Sequence, residues 1–138
     1  MNTRRYFLAS VTAAILGLMA GPTFAAPPTV EIVAMAHPPV QAALKPLRDW
    51  LAQQGGKFKV IEIDAESVPG EKRLEAVGLK GHVPIVILID GQYRHPRRDG
   101  SKVAFVNFPA VKESPAGIRG DWLTEDVEAV LTERMKKP

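Results

Sequence analysis

Methionine, histidine and a short run of carboxylates are the residues of this chain whose spacing suggests chemistry, and cysteine is absent. Met35 and His37 stand two apart at the end of a β-branched run, so strand alternation would turn both side chains to one side. A thioether beside an imidazole suits copper, above all in its reduced form. His82, in a loop before a second apolar run, is the third ligand such a site would use. The plainer reading makes Met35 a core residue and the histidines loop residues bonded to nearby carbonyls. Without cysteine the chain has no thiolate to attack a sulfur, which excludes disulfide exchange. It also has no disulfide staples, so its stability must come from a packed core.

Two further clusters carry charge. Tyr93 to Arg98 places Arg94, Arg97 and Arg98 in one loop with His95, which would suit an acidic partner or a phosphate. A solvated hairpin tip accounts for the same residues. Glu62, Asp64 and Glu66 alternate where a strand ends, an arrangement able to do acid–base work or hold a hard cation, yet no basic partner is evident nearby in sequence. Ser67, Ser101 and Ser114 sit in turn contexts and lack a nucleophile-elbow pattern. Trp50 and Trp122 read as packing residues.

The elements that must position these residues alternate between strand and helix. Thr29 to Ala36 reads as a strand, and the chain then turns through His37, Pro38 and Pro39 into a helix. Val40, Ala43, Leu44, Leu47, Trp50 and Leu51 recur at helical spacing, Gly55-Gly56 stops the run, and Pro46 should kink it because it has no N–H to donate. Lys57 to Asp64 alternates apolar and charged residues, a second strand. A short helix follows over Val68 to Gly81, closed by Gly78 or Gly81. Val83 to Asp90 is apolar throughout, as expected of a strand buried on both faces. Asp90-Gly91 marks a hairpin turn, with a long tip turning at Pro96 and Asp99-Gly100, and Lys102 to Phe108 returns as a strand. A Pro/Gly-rich connector, Pro109 to Gly120, leads to a last helix capped by Thr124, its acids early and its bases late, as the helix dipole prefers.

The N-terminal residues read differently. Arg4 and Arg5 precede an apolar run from Val11 to Ala20, and Thr23-Phe24-Ala25 suits a small-x-small cleavage site, so residues 1–25 read as an export signal cleaved near Ala25. Arg4-Arg5-Tyr6-Phe7-Leu8 resembles the twin-arginine signal. The apolar run is about half of what spans a bilayer, so no permanent anchor is expected. Removing residues 1–25 takes two positive charges and no acid from a net +3, leaving +1, which argues against a nucleic-acid partner. The mature domain, 26–138, is expected in the periplasm.

The order β-α-β-α-β-β-α resembles the thioredoxin fold, an α/β three-layer arrangement with a central mixed sheet flanked by helices. The likeness extends to Ala76–Gln92, in which Gly78, Lys80 and Gly81 lead to Pro84 and a central strand ending in Asp90-Gly91. Pro84 matches the family's cis-proline, with one residue more after Gly81 than the commonest spacing, and Pro46 matches the proline that kinks the active-site helix. Counting back, Pro38 and Gln41 stand where the family carries its two cysteines. The resemblance implies a redox-inactive member that keeps the family's non-covalent machinery, a helix N-terminus and a cis-proline loop. Such a loop binds an extended peptide or a periplasmic protein as an added strand. The implied partner-binding residues are His37, Pro38, Pro39, Gln41, His82, Val83 and Pro84, in a protein-binding or chaperone module that is not an enzyme. No cofactor is implied; the alternative is copper on Met35, His37 and His82.

Overall fold

The computed structural model describes Gly21 and residues 25–137; almost all of the expected export signal lies outside the described residues. Their elements are β1 (Thr29–Ala34), α1 (Pro38–Gln53), β2 (Lys59–Asp64), α2 (Val68–Ala76), β3 (Ile85–Ile89), β4 (Arg94–Pro96), β5 (Lys102–Ala104) and α3 (Thr124–Lys136), with a 3-10 turn at Ala116–Ile118. The architecture is mixed α/β. A three-stranded sheet of order β2-β1-β3 forms its centre, with β2 parallel and β3 antiparallel to β1. Every residue of β3 is buried, which is why Ile85–Ile89 shows no polar alternation.

Two ion pairs show that α1 and α2 lie on opposite faces of this sheet. Arg73 of α2 grips Glu31 with two parallel bonds, Nε to Oε2 at 2.6 Å and Nη2 to Oε1 at 2.7 Å. Arg48 of α1 donates from Nε to Glu62 Oε1 at 2.6 Å, and Glu62 pairs in register with Ile32, the neighbour of Glu31. Adjacent strand residues point to opposite faces, so the two arginines approach from opposite sides. On its inner side α1 buries Val40, Leu44, Leu47 and Leu51 and continues through Pro46.

α2 starts tight against the sheet. Ser67 caps it, its Oγ accepting from the Gly70 N–H at 3.1 Å. A Cβ on Gly70 would stand 2.0 Å from the Asp64 carbonyl oxygen, so only glycine lets the first turn approach the end of β2 so closely.

Three expectations change in the second half. The expected strand over Lys102 to Phe108 is divided between two sheets. Its first part, β5, pairs with β4, a strand formed inside the expected hairpin tip. Its second part turns back to β3, where Ile87 N–H donates to Phe105 C=O at 3.0 Å and Asn107 N–H to Ile85 C=O at 2.8 Å. Asp90-Gly91 does form the tight turn, with Ile89 and Gln92 exchanging backbone bonds and both turn residues at positive φ. The expected cap Thr124 is instead the first residue of α3, and the Leu123 N–H is satisfied by Asp126 Oδ2 at 2.9 Å. Trp122 is fully buried, its Nε1 donating to Asn107 C=O at 3.1 Å.

Candidate functional site

β1 ends at Ala34, and the turn into α1 is built on the backbone of Met35. The Met35 N–H donates to the Pro84 carbonyl at 3.0 Å, extending the β1–β3 ladder by one residue. The Met35 carbonyl accepts from Gln41 Nε2 at 2.8 Å. Gln41 Oε1 in turn accepts from Arg48 Nη1 at 2.8 Å, and Arg48 reaches Glu62. One hydrogen-bonded chain thus runs from the loop before β3, through the turn and the first helical turns of α1, to β2.

His37 occupies the N-cap position of α1 with extended backbone, yet its side chain caps nothing. Its Nε2 lies 2.8 Å from Glu66 Oε2 instead. Parallel β1 and β2 end at the same edge of the sheet, which brings residues 29 apart in sequence together. The acidic run therefore has basic partners after all: Glu62 meets Arg48, and Glu66 meets His37. Asp64 Oδ1 accepts from the Glu66 N–H at 2.9 Å and holds the turn.

The helix N-terminus is weaker as an anion site than its position suggests. A helix ordinarily offers unpaired N–H groups in its first turn, and they attract anions. Here Pro38 and Pro39 fill the first two helical positions and have no N–H to offer. Four expected partner-binding residues, His37, Pro38, Pro39 and Gln41, thus form a pinned turn: its side chains are bonded internally and its donors are depleted.

The other three, His82, Val83 and Pro84, lie across from it. All peptide bonds of the described residues are trans, so the expected cis Val83–Pro84 bond is not found. The segment bends at Gly81, whose φ is 85°, and again at Pro84 before entering β3, while Val83 and Pro84 are buried. The preceding loop is open. Among the described residues the main-chain groups of Lys80, Gly81, His82 and Val83 make no hydrogen bond.

This loop borders a groove of about 620 Å³ between it and α2. Met35, Ala65, Leu74 and Val83 give it a buried apolar floor. Glu66, Glu71 and Glu75 stand at its rim with Lys80 and His82. Glu71, Glu75 and Leu79 went unnoticed in sequence because only the packing of α2 beside the loop gathers them.

The donors proposed for copper do not form one set. Met35 is 6% exposed and packs in the core. It lines the groove with His82, but His37 does not, and its Nε2 is held by Glu66. The same-side expectation fails because strand alternation stops at Ala34, before either residue. Among the described residues no three His, Asp or Glu side chains are grouped as a metal ion would need.

The arginine loop is divided: His95 and Arg97 turn inward, while Arg98 stays exposed and Arg94, also exposed, lies over the Tyr93 ring at 5.1 Å. His95 is buried, stacked on Phe105 at 5.2 Å, with Nε2 2.8 Å from the Gln92 carbonyl oxygen. Arg97 donates to both carboxylate oxygens of Asp126 and to the Asp121 carbonyl, and Arg98 to Glu133 at 3.4 Å. These bonds dock the β4–β5 hairpin on α3, beside a hollow of about 870 Å³ whose lining includes the paired Arg97, Arg98, Asp126 and Glu133. No helix among the described residues is long and apolar enough to cross a membrane. In comparisons with family models, curated proteins and solved structures, nothing matches the chain.

Proposed function

We propose that this chain is an exported thioredoxin-like domain without thiol chemistry, and that it holds an extended segment of a partner protein along residues 80–84. The observation that carries the reading is the free main chain of Lys80–Val83 above an apolar-floored groove. Unpaired backbone donors and acceptors in a loop that leads into a strand can pair with the main chain of a partner. The fold reading draws support from the order β2-β1-β3 with residues 105–107 antiparallel beside β3, and from Pro84 bonded to the turn that opens α1. The trans Val83–Pro84 bond and the inserted β4–β5 hairpin depart from the family's pattern. Export to the periplasm rests on Arg4, Arg5 and the apolar run after them.

The turn at His37–Gln41 takes a supporting part in this reading. The Gln41 side chain fixes the Met35 backbone, and Met35 fixes Pro84 at the base of the open loop. A photo-crosslinking amino acid placed at His82 tests the proposal in cells. Crosslinks to a periplasmic protein, absent when the same group replaces exposed Val111, are the expected result. Equal crosslinking from both positions would refute it.

A further inference from the structure

The groove beside the open loop carries a charge pattern that selects its occupant. We infer that the extended segment it holds bears lysine or arginine at alternate positions, an inference that rests on the peptide-binding reading above. Three carboxylates, Glu66, Glu71 and Glu75, border the groove against one ammonium, Lys80. Glu66 is engaged by His37. Among the described residues the side chains of Glu71 and Glu75 make no ion pair or hydrogen bond, although like charges four apart on a helix repel. The nearest guanidinium on α2 is unavailable to them, because Arg73 is bonded to Glu31 of the sheet.

The geometry fits a chain better than a single ion. The carboxylates do not converge as metal ligands would. Four residues of helix rise about 6 Å, while alternate residues of an extended chain repeat about every 6.7 Å. Glu71 and Glu75 can therefore meet two cationic heads in sequence along one strand. Lysine and arginine stems are apolar, and here they would lie over Leu74 and Val83 with the charges at the rim.

Fluorescence anisotropy with three short labelled peptides tests the inference on the intact protein. One alternates valine with lysine, and the others carry glutamate or threonine in place of lysine. The lysine peptide should bind about fivefold tighter than the threonine peptide, the order that two exposed charge pairs supply. The glutamate peptide should bind weakest. Glu71→Gln with Glu75→Gln should erase the preference while leaving the threonine peptide's affinity unchanged, and Lys80→Gln should sharpen it. Because all three residues are exposed, a fall in melting temperature is not expected, and the melting temperature serves as the folding control. Equal binding of the lysine and threonine peptides would overturn the charge selection and leave peptide binding standing. Failure of all three to bind would overturn both.

Discussion

The N–H of Met35 donates to the carbonyl of Pro84 at 3.0 Å, so the turn that opens α1 and the loop that precedes β3 share one backbone bond. Everything proposed for the loop depends on that anchor, and Gln41 secures it from the helix side through the Met35 carbonyl. A turn held by Gln41 and by the His37–Glu66 pair, whose first helical residues are prolines, is built to hold position. The proposed binding falls to the loop it supports.

Gln41→Ala should lower stability by about 1–2 kcal/mol, since it removes a part-buried partner from both the Met35 carbonyl and Arg48. Arg48→Ala should cost less alone, and the double variant should fall short of the sum because the two act in one network. Urea denaturation of the four proteins measures this. Strict additivity would show that the chain of bonds is not cooperative.

Gly70→Ala should destabilise by about 1–3 kcal/mol, because the new methyl would press on the Asp64 carbonyl oxygen and α2 would have to move off β2. The same change at Gly117, where a Cβ meets nothing within 4 Å, should be nearly neutral. Thermal melts of the two variants provide the comparison.

How far such positions were readable in advance depends on the range of the interaction. β1, β3 and α1 follow from apolar runs and a 3.6-residue stripe, signals contained within a few residues. The His37–Glu66 and Arg48–Glu62 pairs depend on the parallel register of β1 and β2, which no local pattern expresses. β4 was hidden because Arg94–Pro96 is three residues long, ends in proline and buries only His95. Of the open loop at 80–83 only His82 was legible as loop: the helical pattern was expected to run to Gly81 and the strand to start at Val83, whereas α2 ends at Ala76 and β3 starts at Ile85. The groove beneath it was not legible, because Leu74, Glu71 and Glu75 reach it only once α2 has packed.

Stability should rise with pH near neutrality because of His95. Burial lowers its pKa from the usual value of about 6.5, and nearby Arg134 adds to this, while the Gln92 carbonyl and Asp90 act in the opposite sense. The unfolded chain then binds this proton more readily than the folded one. The stabilisation is complete above the unfolded pKa and is lost as pH falls below it toward the folded value. His95→Gln should flatten the dependence of melting temperature on pH between about 5 and 7. An unchanged slope would show that another group causes it.

Asp126 joins α3 to the hairpin. Burial disfavours its charge, but the Arg97 guanidinium and the Leu123 N–H outweigh this and hold its carboxyl below the usual range. Asp126→Asn should destabilise by about 1–3 kcal/mol through the loss of a charge-assisted pair and a helix cap. Denaturant melts measure the loss, and a change below a few tenths of a kcal/mol would show that the hairpin is held by packing alone.

In the proposed binding mode a partner's chain pairs with the main chain of Lys80–Val83. Amide hydrogen exchange, measured residue by residue with and without the valine–lysine peptide, tests it most directly. In the free protein the Gly81, His82 and Val83 amides should exchange fast, because nothing among the described residues holds them. Saturating peptide should slow exchange at one or more of these three and leave the Val40 and Gln41 amides at the head of α1 unchanged. Slowing at the head of α1, with exchange at residues 81–83 as fast as before, would contradict the claim.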